Sequence, residues 1–197
     1  MTEKKDIREW VFTYRSYTPL PFLALMLVLG RPTITSIVAG FVIVLLGECL
    51  RFWGVSIVGS ETRTTGAVGG TFLITTGPYA YVRNPLYVGN LLLYAGIGVM
   101  SMAMFPWLLL VALVWFYVQY WLIVTREEEY LAQQFGEPFA EYCRHVRRFL
   151  PRRTPYRSGS PSEKTFNLAE GLASERRTLQ AITIVCVLVV VLYLVRG

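Results

Sequence analysis

The chain has 197 residues, of which 54% are apolar and only 16% charged, with a mean hydropathy of +0.45. A soluble domain carries about a quarter charged residues, so this composition fits a soluble globular class poorly and excludes a long disordered chain. The net charge of +6 and pI of 9.4 could suggest a nucleic-acid partner, but no such partner is expected once the basic residues are placed along the chain.

The apolar residues fall in five blocks, Thr18–Leu29, Ile34–Val58, Leu86–Met104, Pro106–Val124 and Leu179–Val195. Five spans of ~20 residues would use about half the chain. The expectation is an all-α integral membrane protein with five transmembrane helices. The first block is short and holds Pro19 and Pro21, so it must borrow residues from Tyr14–Tyr17 to cross. The second carries Glu48 and Arg51, three apart on one helical face. Charges inside a membrane point to function by default, but a structural ion pair near the cytoplasmic end, with Arg51 snorkelling, is the plainer reading. The third and fourth blocks are separated by little more than Phe105, with Pro106 suited to a first helical turn. They predict a tight hairpin of antiparallel spans.

The basic residues orient these spans. Lys4, Lys5, Arg8 and Arg15 precede the first, and Arg63 and Arg83 lie between the second and third. Ten more, from Arg126 to Arg177, separate the fourth from the fifth. Only Arg31 and Arg196 fall on the other face, so the richer face, with the N-terminus, is expected in the cytoplasm.

Two polar segments interrupt the spans. In Gly59–Asn84, the stretch Thr71–Thr75 could be extended or part of a hairpin. Thr125–Pro155 reads as two short cytoplasmic helices divided at Gly136 and Pro138. In the second, Phe139, Tyr142, Cys143, Val146, Phe149 and Leu150 form an apolar stripe opposite Arg144, Arg147 and Arg148, fit to lie in the headgroup layer. Arg157–Glu163 reads as a linker. There is no internal repeat, GxGxxG or Walker pattern. Cys49, Cys143 and Cys186 lack ligand spacing. With His145 as the single histidine, read as a surface residue, no metal site is expected.

Two clusters can carry chemistry. The first is Thr76-Gly77-Pro78-Tyr79-Ala80-Tyr81-Val82-Arg83-Asn84-Pro85-Leu86-Tyr87-Val88-Gly89. Gly77-Pro78 permits a sharp entry, and Asn84 before a proline makes Pro85 the start of span three. The N–H groups there suit a carboxylate or ribose oxygen, and Tyr79, Tyr81 and Tyr87 could stack a base or surround a cation. An aromatic belt at the interface is the plainer alternative. The second cluster is Glu127-Glu128-Glu129. Thr125-Arg126-Glu127-Glu128 matches a capping box, but a helix continuing from span four needs no cap, and one or two acids could face a ligand amine.

Together the clusters resemble the membrane methyltransferases that include isoprenylcysteine carboxyl methyltransferase and the phospholipid N-methyltransferases. Their signature is Arg-His-Pro-x-Tyr-x-Gly, a hydrophobic hairpin, Glu-Glu-x-x-Leu and a Phe-Gly…Tyr…Pro tail. Here it reads Arg83-Asn84-Pro85-Leu86-Tyr87-Val88-Gly89, the hairpin, Glu127-Glu128-Glu129-Tyr130-Leu131, Phe135-Gly136, Tyr142 and Pro151. The likeness covers Gly66–Pro151. Asn84 replaces the usual histidine, and Ile123 stands where the carboxyl methyltransferases carry a substrate arginine.

The resemblance implies S-adenosylmethionine as cofactor, leaving as S-adenosylhomocysteine. Its pocket would draw on Thr71, Phe72, Leu73, Ile74, Tyr79, Asn84, Pro85, Leu86, Tyr87, Glu127 and Glu128, with Arg83 and Tyr87 as catalytic residues. It implies an isoprenylcysteine O-methyltransferase-like enzyme whose lipophilic acceptor, prenylated or not, enters from the bilayer. Residues 1–65 would then form an N-terminal membrane region, 66–157 the catalytic region, and 158–197 a linker and final span. The membrane would be the cell membrane in a prokaryote or the endoplasmic reticulum in a eukaryote. Competing readings are a phospholipid N-methyltransferase, an NADPH-dependent sterol-type membrane reductase with a similar Arg-His-Pro-x-Tyr tail, and a non-enzymatic scaffold binding anionic lipid.

Overall fold

The computed structural model describes residues 7–59, 73–157 and 165–196. Among them are seven α-helices, one 3-10 turn at Gly77–Ala80 and no strand. The helices are α1 (Ile7–Tyr14), α2 (Pro19–Val28), α3 (Ile34–Val58), α4 (Pro85–Ser101), α5 (Trp107–Phe135), α6 (Glu137–His145) and α7 (Leu168–Arg196). All five apolar blocks become helices. Three of them, α3, α5 and α7, are long and apolar enough to cross a membrane; α2 and α4 have 10 and 17 residues.

Some boundaries depart from expectation. Span one does not borrow from Tyr14–Tyr17, because α1 ends at Tyr14 and a turn follows. Pro19 has no N–H to give to the Arg15 carbonyl, and the Thr18 hydroxyl donates to that carbonyl instead, at 3.0 Å. The turn between α4 and α5 occupies Met102–Pro106, with Met102 and Met104 at positive φ. The first of the two short helices expected in Thr125–Pro155 does not exist separately. Helix α5 continues to Phe135, and Thr125 Oγ1 donates back to the Trp121 carbonyl at 2.8 Å rather than capping a new start. The break comes at Gly136, whose φ of +56° suits glycine, and Pro138 sits in the first turn of α6. Helix α7 begins at Leu168, well before the apolar run at Leu179. Of the Thr71–Thr75 stretch, Thr71 and Phe72 lie outside the described residues, and Leu73–Thr75 has no regular structure. Lys4, Lys5, Arg63, Lys164 and most of the expected linker also lie outside them.

The chain forms two compact units. The first comprises Met1–Leu45, Leu91–Arg126 and Thr183–Gly197. Small residues set its helix contacts, as is common where lipid surrounds the helices. A Cβ on Gly96 would stand 2.6 Å from the Gly40 carbonyl, and one on Gly98 would stand 2.7 Å from Leu109 Cδ1, so α4 packs closely against both α3 and α5. Tyr94 stacks on Phe116 with ring centroids 4.0 Å apart, and Phe22 meets the same ring at 5.2 Å. Arg196 Nη1 donates to the Val28 and Gly30 carbonyls, closing the C-terminal end of α2. Phe41, Val42, Val111, Val114, Val118, Ile184 and Val187 stay exposed, as lipid-facing side chains do.

The second unit comprises Leu46–Asn90 and Glu127–Ile182. The amphipathic stripe of α6 lies here and faces protein rather than lipid headgroups. Phe139, Tyr142 and Val146 form a buried cluster with Leu73, Leu131, Phe135, Cys143 and Tyr156 packed on it. Protein-protein burial wins because Leu131 and Phe135 on α5 offer this stripe a matching apolar face; of the stripe, only Leu150, at its end, is exposed.

Candidate functional site

Both motif clusters fall within the second unit. The first opens on Gly77, whose φ of +59° and close neighbours, Ile57 and Trp53, both exclude a side chain. The 3-10 turn that follows presents Tyr79 toward Gly54 of α3, where a Cβ would stand 3.7 Å from its hydroxyl and 2.8 Å from Leu86 Cδ2. Loss of hydration pushes the Tyr79 phenol well above the ordinary tyrosine range. The Glu127 carboxylate adds to that, and Arg51 opposes it. Tyr79 therefore stays a neutral phenol.

The loop from Tyr79 to Asn84 is laced to residues 142–156. Tyr142 Oη donates to the Tyr79 carbonyl at 2.7 Å. The backbone adds Arg83 N to Arg147 O, Arg152 N to Tyr81 O and Tyr156 N to Ala80 O, each at 2.9 Å. Burial raises the Tyr142 phenol far above its usual range, and the neighbouring Tyr79 adds to the shift, so the hydroxyl remains a donor. The same cause raises the Cys143 thiol, against the pull of Arg83, which leaves it protonated at neutral pH.

Arg83 is the centre of this lacing. Its Nε meets Glu128 Oε1 at 2.9 Å, and its Nη1 donates to the Cys143 and Val146 carbonyls at 3.1 and 2.7 Å. Its side chain is only 13% exposed. The second oxygen of Glu128 is held by Arg148, through Nη2 at 2.6 Å and Nε at 3.1 Å. Arg83 and Glu128 therefore act together as a clamp. Asn84 joins it by donating from Nδ2 to the Arg148 carbonyl at 3.2 Å, so an amide donor serves where the family histidine would stand.

Pro85 is fully buried at the first position of α4. Two residues on, Tyr87 Oη donates to Glu127 Oε1 at 2.7 Å. The pair joins the two motifs across the hairpin. Tyr79, Asn84, Pro85, Leu86, Tyr87 and Glu127 thus come together around the start of α4, whereas Leu73 packs in the α6 cluster. Ile74 is half-buried, and Thr71 and Phe72 lie outside the described residues.

Two residues were missed by reading the sequence. Arg148 shares Glu128, and Glu175 of α7 is the closest charge partner of Arg51, at 2.6 Å against 3.9 Å for Glu48. Only the helical spacing of Gly171, Glu175 and Thr178 on α7 signals the second. His145 is a surface residue as expected, its ring stacked on Tyr156.

The phospholipid methyltransferase family model matches residues 35–138, just over half of the chain. The chain belongs to this family. It is 40% identical over 88 residues to the cobalt-zinc-cadmium resistance protein CzcN of Cupriavidus metallidurans, covering 45% of this chain and 39% of that one. It is 36% identical over 90 residues to the nickel-cobalt-cadmium resistance protein NccN of Alcaligenes xylosoxydans xylosoxydans, covering 46% and 41%. The matches thus span about two fifths of the length of these relatives. No solved structure matches the chain. Family membership and the three long apolar helices make it a membrane protein of a methyltransferase family.

Proposed function

We propose that the protein is an S-adenosylmethionine-dependent methyltransferase of the membrane, acting on a lipophilic acceptor. The Tyr87–Glu127 hydrogen bond carries this reading, because it joins a carboxylate to a phenol at the start of α4, and the same carboxylate acts on the nearby Tyr79 phenol. That donor set fits a ligand with an ammonium group, ribose hydroxyls and a sulfonium. Glu127 would take the ammonium or hydroxyls, and the rings of Tyr79 and Tyr87 would face the positive charge. When bound, the cofactor supplies a methyl group on a sulfonium, open to in-line displacement.

For a carboxylate acceptor, the residues around it need only align the reactants and exclude water. A carboxylate acceptor is already ionised at neutral pH and needs no base. An amine acceptor must first lose a proton. Ile123 is fully buried at the position of the carboxylate-reading arginine of the isoprenylcysteine enzymes. Together with the family match, this favours a phospholipid amine over a prenylcysteine carboxylate. The acceptor would reach the site sideways from the bilayer. The distribution of Lys and Arg supports a cytoplasmic site.

Calorimetric titration of S-adenosylhomocysteine into detergent-purified protein tests the reading. Binding by the wild type and its loss in Glu127→Ala are expected. A silent wild-type titration would end the proposal, while binding of NADPH instead would point to a reductase. Transfer of labelled methyl to phosphatidylethanolamine or to a prenylcysteine then separates the acceptors.

A further inference from the structure

Helices α3, α4 and α7 meet at Arg51. From α3 its Nη1 donates to Asn90 Oδ1 of α4 at 2.5 Å, and its Nη2 to Glu175 Oε1 of α7 at 2.6 Å. Glu175 has only 1% of its surface exposed. Two glycines make the meeting possible. A Cβ on Gly89 would collide with Arg51 Cγ and stand 2.8 Å from the Gly47 carbonyl, and one on Gly171 would collide with the Ser56 hydroxyl. The last glycine of the motif is therefore the space through which the arginine stem passes.

Asn90 lies three residues after Tyr87, on the same face of α4. We infer that Arg51 and Glu175 are positioning residues for the Tyr87–Glu127 site: Arg51 fixes the rotation of α4 at Asn90, and Glu175 fixes Arg51. Helix α7 lies wholly outside the family match of residues 35–138 and still belongs to the site's machinery. The inference rests on the methyltransferase reading. Its physical basis is a competition. Glu48 lies 3.9 Å from Arg51 Nε, and neither of its oxygens has a hydrogen-bond partner. Once the Glu175 charge is gone, Glu48 is the remaining anion for a buried guanidinium. Arg51 then turns toward it, Asn90 loses its donor, and the Tyr87 hydroxyl meets Glu127 less well.

The test is a double-variant cycle read as S-adenosylhomocysteine affinity, using the full chain and the variants Glu175→Gln, Tyr87→Phe and both together. Glu175→Gln is expected to weaken binding about fivefold, and the double variant to bind about as Tyr87→Phe alone. Positioning has no effect once the positioned hydroxyl is absent. Independent losses that multiply, or unchanged binding by Glu175→Gln, overturn the inference. Asn90→Ala keeps the Arg51–Glu175 pair and cuts only the link to α4. It should reproduce the loss even where Glu175→Gln folds poorly, and wild-type affinity in Asn90→Ala overturns the inference. A wild type that binds no S-adenosylhomocysteine overturns the methyltransferase reading itself, and this inference with it.

Discussion

Tyr87 and Glu127 are joined by a 2.7 Å hydrogen bond although forty residues and an entire helical hairpin separate them. The bond is charge-assisted, so its net value is about 1.5–3 kcal/mol where water is excluded. Tyr87→Phe keeps the ring and removes the donor. It should weaken S-adenosylhomocysteine binding by about tenfold or more, measured by calorimetry. Equal affinity in the variant would show that the phenol only fills space.

The Arg83 clamp predicts a stability effect. A lysine at this position cannot reach Glu128 and two carbonyls at once, since it offers a single ammonium in place of a planar fork. Arg83→Lys should lower unfolding stability by about 2–3 kcal/mol, followed by thermal denaturation in detergent. Arg148 still holds Glu128 in the variant, which limits the loss.

Glu48 and Glu175 should respond in opposite ways to neutralisation. Glu48 is buried with no hydrogen bond to either oxygen, while Glu175 is paired at 2.6 Å. Glu48→Gln removes a poorly compensated charge at nearly constant volume, so stability should stay level or rise by about 1 kcal/mol. Glu175→Gln should lower it. Melting curves of the two side by side check the contrast, and a larger loss at Glu48 would contradict it.

Tyr142 sets an alkaline limit. Its pKa in the fold is raised far above that of an unfolded tyrosine near 10. Above that pH the unfolded chain has released a proton that the folded one keeps. Stability is therefore complete below pH ~10 and declines as pH rises beyond it. Tyr142→Phe should flatten part of this decline while lowering stability at neutral pH by about 1 kcal/mol through the lost bond to Tyr79. Denaturation midpoints measured across the alkaline range would show a parallel decline if Tyr142 plays no part.

The legibility of the chain was uneven for physical reasons. Ile34–Val58 is legible to the residue because its apolar run, despite Glu48 and Arg51, ends where the helix ends. Helix α5 outran its apolar run because Thr125–Phe135 keeps good helix formers with no breaker until Gly136. The α6 stripe was visible, but its partner was not: periodicity marks an apolar face without saying whether protein or lipid covers it. The two motifs meet across one hairpin, since local spacing and the hairpin together bring Tyr87 against Glu127. The Glu128–Arg148 and Arg51–Glu175 pairs were out of reach. Many arginines compete on paper for each acid, and only packing of helices far apart in sequence selects one.

The lacing of Arg83 to the Cys143 and Val146 carbonyls bears on how members of this family could be recombined. Those acceptors lie past residue 138, where the family match stops, and they are backbone atoms that any residue type could offer. A hybrid that grafts the Arg83–Gly89 segment from one relative onto the tail of another would satisfy every side-chain motif. It would still fail wherever the tail follows a different path. The two stretches form one exchangeable module, and a graft should carry both or neither.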